Sequence, residues 1–532
     1  MTKNKFIAIL FAGAVGITSC EKKTLELQPF TSFSDQTAFS SGDRVLLAVT
    51  GVYDAAQSGY YAGGAVRGYP FGAANIAQGD MRGEDMMNQA AFYQITYEAT
   101  YNNASPNNGF QFQTLYTLIN RINLTIDGIK GAVAGNVITA AQGAAYEGEM
   151  LFLRAMAHHE LVTNFARPYS DGAGSQMGII YRDFAVNGSE SAAKAAALKR
   201  ADFKVSDNYT KILSDLDAAE TGLPATHTGA GLSTYRATKA AAIALKMRVK
   251  MHMGDWAGVI SEGNKIVTGT APNFTSPIGG WRLTAAPDGP FANNISTESV
   301  FSIKNDATDN GSVNGAPAQM YGDPAAGARG LVRVSPVIWS EPQWLCTDLR
   351  RTTLYRTAGT PVNAVYTTKY RDYATSSDAA PQIRYAEVLL TLAEAEARQA
   401  ALISTRAVDL LNAVRNRAVT TVANQFTIAS FANKNALVSA ILMERRIELL
   451  AEGKRWGDIH RLANDATFAP IAGGGIPSKV GSGGATAAMF NCAGTTVNRT
   501  VPAIPYSNFR FIWPIPIEET QQNPNYTQNP NY

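Results

Sequence analysis

The stretch from Glu444 to Arg461, Glu-Arg-Arg-Ile-Glu-Leu-Leu-Ala-Glu-Gly-Lys-Arg-Trp-Gly-Asp-Ile-His-Arg, constrains the fold of this chain more than any other. Leu437, Ile441, Leu442 and Leu449 recur at helical spacing and present an apolar face. Glu444, Arg445 and Glu448 stand at i, i+3 and i+4 spacing beside that face, where opposite charges pair. Gly453 can end the helix, and Trp456 opens a further amphipathic turn. Paired charges next to a Trp lock helices together. Arg455 and Asp458 are therefore expected to be structural, since ion-pair networks imitate functional sites.

Helical spacing recurs along the chain. One helix is expected over 42–57, with Val45, Leu46, Val49, Val52 and Tyr53 on one face, and others over 111–131, 141–166 and 202–221. Small and apolar residues continue the pattern from Ala237 to Met253. Gly254-Asp255-Trp256 then turns the chain into a second helix, Ala257 to Thr268. This helix–turn–helix layout has the length of a tetratricopeptide unit. The pattern resumes at Pro381, where Ser404 can cap a helix carrying Val408, Leu411 and Val414. Residues 58–110 and 269–345 show little period and read as long irregular regions, apart from a short strand at Ser299–Ile303. Such regions on a helical scaffold are where binding surfaces tend to lie. The expected organisation is helical repeats at about 111–268 and 381–463 within one domain spanning 41–532.

The chain opens with a short basic stretch, Met1-Thr2-Lys3-Asn4-Lys5, and an apolar run from Phe6 to Ile17 that is too short to span a bilayer permanently. Ile17-Thr18-Ser19-Cys20 follows, an apolar residue and two small ones before a Cys, as in a bacterial lipobox. Residues 1–19 read as a lipoprotein signal peptide, Cys20 as a lipid anchor, and 20–40 as an extended leader. Several acyl chains, at about 0.8 kcal/mol per buried methylene, would hold such a chain to a membrane. The net charge of +3 contains Lys3 and Lys5, so the mature chain is nearly neutral. With no basic run, nucleic acid is not an expected partner. Cys346 and Cys492 remain, and one possible pair is not a disulfide framework.

Motifs for catalysis are missing from the sequence. None of His158, His159, His227, His252 and His460 belongs to an H-E-x-x-H motif, and adjacent His158 and His159 point to different sides of a helix. There is no G-x-S-x-G elbow, and the Gly-rich stretch at 473–484 lacks the Gly-Lys-Ser/Thr of a phosphate loop. Asp80, Glu84 and Asp85 could flank a sugar as glycosidase carboxylates, but loop carboxylates are far more often solvated or bound to a turn. No cofactor or metal is expected.

Aromatic clustering off the helices is the feature that suggests binding. Tyr60, Tyr61, Tyr69, Phe71, Phe92, Tyr93, Tyr97 and Tyr101 crowd the first irregular region, amid Asn75, Asp80 and Arg82. The second offers Trp281, Asp306, Asn310, Asn314, Gln319 and Tyr321. Sugar rings stack their apolar faces on aromatic rings and bond their hydroxyls to Asn, Asp and Arg, a task needing no nucleophile. Tyr60, Tyr69, Asp80, Arg82, Tyr97, Tyr101 and Tyr321 are the candidate ligand-binding residues. For each aromatic the competing explanation is loop packing, since Tyr commonly buries its ring and keeps its hydroxyl wet. Trp339 and Trp344, near Asp348-Leu349-Arg350 and within an expected helix, are assigned to packing.

Several of these segments also carry a family resemblance. The Glu444–Arg461 stretch, Glu149-Met150-Leu151-Phe152-Leu153-Arg154-Ala155, the run Arg384-Tyr385-Ala386-Glu387-Val388-Leu389-Leu390, and Leu411-Asn412-Ala413-Val414-Arg415-Asn416-Arg417-Ala418 stand in order along the chain. The tail adds Trp513-Pro514-Ile515-Pro516, Asn523-Pro524-Asn525 and Gln528-Asn529-Pro530. Together they resemble the SusD/RagB family, nutrient-binding lipoproteins on the outer surface of Bacteroidetes-type bacteria. The resemblance implies a mainly α fold, a tetratricopeptide-like α/α superhelix with long irregular loops and a few short strands. It implies a ligand site assembled from the two irregular regions, anchorage to the outer membrane through Cys20, and a packed C-terminal tail. It further implies capture of an oligosaccharide, or of a peptide, for delivery to a SusC-like TonB-dependent outer-membrane transporter. A surface glycan hydrolase and a pure interaction scaffold are the weaker alternatives; the expectation is a binding protein and not an enzyme.

Overall fold

Helix pairs build the body of the protein. In the computed structural model, residues 35–58 and 67–532 are described. Along the chain the principal helices are α1 (Gly42–Gln57), α2 (Ala73–Met81), α3 (Ala91–Tyr97), α4 (Pro106–Ala134), α5 (Ala140–Phe165), α6 (Val205–Gly222), α7 (Lys239–Met253) and α8 (Trp256–Ile266). After a long irregular passage come α9 (Tyr385–Gln399), α10 (Thr405–Arg415), α11 (Lys434–Glu448), α12 (Arg455–Arg461) and α13 (Ile517–Gln522). Local chemistry sets the ends. Thr139 and Gln142 form a reciprocal capping box on α5, while Thr238, Ser404 and Asn433 cap α7, α10 and α11. Gly254, at φ +73°, closes α7 and lets Asp255 cap α8, the turn expected between a repeat's two helices.

Successive helices pack on one another, α4 on α5, α5 on α6, α7 on α8, and α9 on α10 and α11. One apolar core threads them, from Val45 and Leu115 through Leu153, Ile212 and Leu245 to Leu389, Leu411 and Ile441. Among the described residues the strands form four antiparallel pairs: β1 (Met86–Asn88) with β3 (Val332–Val334), β2 (Ser299–Ile303) with β6 (Ala380–Arg384), β4 (Tyr355–Ala358) with β5 (Ala364–Thr367), and β7 (Gly475–Ile476) with β8 (Ile504–Pro505). They clip loops to the helical body, and the fold is mainly α.

The charges of the Glu444–Arg461 stretch are interior. Glu448 receives Arg350 (3.0 Å), Arg384 (3.0 Å) and Arg417 (2.6 Å), and all four side chains are buried or nearly so. Burial alone would raise the Glu448 carboxyl, but the three guanidiniums hold it well below the usual carboxylate range. Asp458 takes Arg445 and Arg461, and Arg455 pairs with Glu84 at 2.6 Å. The structural role expected of Arg455 and Asp458 is what the structure shows.

Three expectations are corrected. Residues 58–110 are not a continuous irregular region, for they hold α2, β1, α3 and the first turn of α4. Their helices escape a periodicity search because α2 buries Ala73, Ala74, Ile76, Ala77, Gln78 and Asp80, leaving no polar face to alternate with. The leader is not extended throughout, since Asp35–Ala38 is a helical turn. Phe39 lies against Gly128 of α4, where even a Cβ would clash with its ring. Trp344 lies outside any helix, though it and Trp339 are buried at 5.3 Å as packing residues. The tail does pack, with Trp513 and Tyr526 both 2% exposed. Cys346 and Cys492, left open by the sequence, form a disulfide. Residues 1–19, Cys20, Tyr60 and Tyr61 lie outside the described residues.

Candidate functional site

The two irregular regions meet at the end of α1. Gln57 donates to the carbonyls of Lys304 (2.8 Å) and Asp309 (3.2 Å). Gly68 approaches Gly315 so closely that a Cβ there would fall 2.7 Å from the Gly315 carbonyl oxygen, and its φ of +72° suits glycine as well. Around this junction Arg67 lies over the half-buried Phe92 ring at 4.5 Å, and Arg329 donates to Asn314 at 2.6 Å.

The aromatic and polar residues singled out by sequence are elsewhere, inside the fold. Tyr69, Asp80, Arg82, Tyr97, Tyr101 and Tyr321 are at most 3% exposed, so none presents a ring face or a polar group to an external ligand. Tyr321 donates to Asp80 at 2.7 Å and the Gly453 N–H donates to the same carboxylate at 2.9 Å. Burial nonetheless pushes Asp80 up to about 7. The Tyr69 hydroxyl accepts from Gln78 at 2.8 Å, Tyr97 donates to the Val480 carbonyl at 2.5 Å, and Tyr101 donates to the Arg510 carbonyl. Arg82 bonds Asn164 and the Phe511 carbonyl. Each aromatic ring fills core volume and its hydroxyl satisfies a buried partner, which is the packing role that competed with binding. Glu84 and Asp85 are likewise buried against Arg446 and Arg455. Burial alone would raise the Glu84 carboxyl, but Arg455 and Arg446 hold it at about 2. The carboxylates considered for hydrolysis are thus buried structural groups.

A groove of about 690 Å³ lies between α4 and the C-terminal tail. Pro106, Gly109, Phe110, Gln113, Tyr116, Thr117, Asn120 and Arg121 line it, a stripe at i, i+3, i+4 and i+7 along one face of α4. Pro516, Glu518, Glu519 and Gln522 make the opposite wall. That wall is positioned by the Ile517 N–H, which donates to the Asn103 carbonyl at 2.8 Å, and by Gln528, which accepts from the Ile515 N–H at 2.8 Å. Phe112 and Tyr116 form the floor with their rings tilted at 55° and 4.8 Å apart, and the Tyr116 hydroxyl is fixed by the Ile180 carbonyl (2.8 Å) and the Tyr526 hydroxyl (2.7 Å). Asn120 is held by both its amide atoms on the backbone of Val186. Gln113, Arg121 and Glu518 are exposed, and Phe110, Thr117 and Glu519 are half-buried. Burial raises the Glu519 carboxyl, opposed by its bond from Asn523 and by Arg182. The groove therefore combines rigid aromatic surface with amide, hydroxyl and charged groups at its rim, within the size range of ligand sites. Sequence reading missed it. The helix expected over 111–131 holds only the stripe from Gln113 onward, Pro106–Phe110 fell in the expected irregular region, and the partner wall comes from residues some four hundred positions later.

A SusD family model matches residues 347–532, and a model described as starch-binding associating with outer membrane matches residues 52–251. The chain belongs to the SusD/RagB family. This SusD-like chain is 24% identical over 504 residues to the SusD-like protein P38 of Formosa agariphila, covering 86% of this chain and 91% of that one. A SusD superfamily protein from Bacteroides fragilis superposes with a TM-score of 0.73 at 25% identity, covering 92% of this chain and 100% of that one. Surface glycan-binding protein A from Bacteroides thetaiotaomicron, solved in complex with laminarihexaose, shares the fold at a TM-score of 0.65 and 17% identity, covering 92% of this chain and 100% of that one.

Proposed function

We propose that this protein is a cell-surface lipoprotein that captures an oligosaccharide in the groove between α4 and the tail and delivers it to a TonB-dependent outer-membrane transporter. The groove itself is the observation that carries the reading, because its floor is aromatic and its rim is rich in amides and hydroxyls. Such a lining suits rings with apolar faces and hydroxyl edges, and it works by complementarity without a nucleophile. Support for the ligand class comes from the glycan-binding relative named above and from the starch-binding description of the family.

The compartment has its own support. The family description associates its members with the outer membrane, and the lipobox-like Ile17-Thr18-Ser19-Cys20 supplies a means of anchorage. No helix among the described residues is long and apolar enough to cross a membrane, in keeping with anchorage by lipid. The Cys346–Cys492 disulfide fits an exported protein, because cytosolic thiols are kept reduced. In this reading the protein binds and presents, and the transporter supplies the energy for import.

The test is calorimetric titration of a soluble form starting after Cys20 against matched panels of oligosaccharides and oligopeptides. Saturable heat from an oligosaccharide, weakened about 2- to 10-fold by Phe110→Ala as one aromatic contact of about 0.5–1.5 kcal/mol is lost, supports the reading. Heat from peptides alone moves the cargo to the peptide class. Heat from neither class overturns capture by this chain.

A further inference from the structure

Resting on the capture reading above, we infer that the groove takes a linear, uncharged oligosaccharide laid lengthwise along α4 and discriminates against polyanionic glycans. The length of the site comes first. Its helical wall runs from Pro106 to Arg121, and at 1.5 Å per helical residue that is about 22 Å. A single sugar unit would leave most of this wall unused, whereas a chain of several units would follow it.

The charges decide the class. Glu518 and Glu519 stand together on the tail wall, and Arg121 is the one cationic side chain among the described residues that line the groove. Its charge is shared with Asp54 of α1, whose carboxyl burial and Asp309 raise and Arg121 lowers. Behind the tail wall, Arg182 acts on Glu519. A uronate or sulfated chain carries a negative charge on every unit or every second unit. Laid in this groove it would bring those charges against two carboxylates with one guanidinium on the lining itself and Arg182 set behind the wall, an arrangement that rejects a partner by repulsion.

The uncharged groups favour the neutral chain. Gln113 and Gln522 each offer an acceptor oxygen and a donor nitrogen, and Thr117 offers a hydroxyl. Sugar hydroxyls are donors and acceptors in equal measure, so they match amides and hydroxyls better than they match fixed charges. The Phe110 ring, half-buried at the head of the helix and set edge-on to Tyr69 at 6.2 Å, adds apolar surface to the wall.

The experiment compares, by calorimetry on the soluble full-length mature chain, a neutral linear glucan hexaose, its monosaccharide, and a uronate hexamer of the same length. The expected result is saturable binding of the neutral hexaose, at least about tenfold tighter than either comparator, equal to about 1.4 kcal/mol or more. Glu518→Gln/Glu519→Gln should bring binding of the uronate hexamer into the measurable range at low salt, where charge repulsion is least screened. Ala104→Trp, which places a large ring at the groove's mouth, should abolish binding of the hexaose while thermal unfolding stays as in the parent. Equal affinity for the uronate hexamer, or for the monosaccharide, overturns this inference and leaves glycan capture standing. Silence toward all three sugars overturns both. Undiminished binding by a folded Ala104→Trp variant overturns the placement.

Discussion

The Arg82 guanidinium lies 3.3 Å from the centre of the Trp456 ring and 4.6 Å from that of Trp513. Arg82 follows α2, Trp456 opens α12, and Trp513 belongs to the tail, so one buried cation joins three distant parts of the chain. The same guanidinium donates to Asn164 of α5 at 2.7 Å and to the Phe511 carbonyl at 2.9 Å. Burial lowers its pKa to about 10, which leaves it charged at neutral pH.

Arg82→Lys should therefore destabilise the protein, because an ammonium cannot stack between two indoles while donating a planar fork. A desolvated cation–π contact of about 2 kcal/mol and a charged hydrogen bond of about 1.5–3 kcal/mol are both at stake, so a loss of about 3 kcal/mol is expected. Denaturant unfolding measures it. A loss below about 1 kcal/mol would mean the joint is held by the apolar packing alone.

Glu448 gathers three guanidiniums in the core. Glu448→Gln keeps the shape but leaves Arg350, Arg384 and Arg417 without the charge they share. Breaking a buried pair on one side costs about 3–5 kcal/mol. The variant should unfold at clearly lower denaturant or fail to accumulate in soluble form, whereas a surface pair such as Lys211 with Asp183, both about half exposed, should be replaceable at negligible cost.

Acid should loosen the joint between α5, α7 and α12. His159 lies 4.8 Å from His252, which lies 6.4 Å from His460, ring centre to ring centre. Burial, then like charge from nearby Arg and His groups, lowers all three; His159 and His460 fall to about 3. The unfolded chain takes up protons below pH about 6.5 while the native state does not, so stability is full above that pH and declines as pH falls toward 3. Each histidine contributes a slope of about 1.4 kcal/mol per pH unit. Asp80, raised to about 7, opposes them, because its stabilising proton is lost as pH rises through that value. Urea unfolding between pH 7 and 5 should show a net decline, and Asp80→Asn should steepen it. An unchanged slope in the variant would contradict the assignment.

The disulfide pins the irregular passage between β7 and β8. Cys492 meets Cys346, Asn491 donates to Ser340 at 3.2 Å, and Ser340 donates to the Met489 carbonyl. Cys346→Ser/Cys492→Ser should leave the helical body intact and expose residues 481–499 to proteolysis, read as one early cleavage by mass spectrometry. An unaltered cleavage pattern would show that the backbone contacts suffice.

Much of the helical body was legible because its signals are local. The helix expected over 42–57 is α1 to the residue, and the Gly254-Asp255 turn stands between α7 and α8 as its glycine and cap dictate. Arg455 and Asp458 were readable as structural because charge pairs at helical spacing beside a Trp have that use. The site was not legible in the same way. Tyr97 and Tyr321 lie in segments poor in period, which looks the same from sequence whether a ring faces solvent or fills a core, and here both fill the core. The groove depends on Phe110 and Gln113 meeting Glu518 and Gln522 across a long sequence separation, which no local pattern encodes.

The most direct test of the central claim is a crystal structure of the complex with a neutral linear hexasaccharide. The account predicts sugar rings along α4, with one against Phe110 and hydroxyls bonded to Gln113 and Gln522. Sugar bound instead among residues 304–329, with the groove empty, would contradict it.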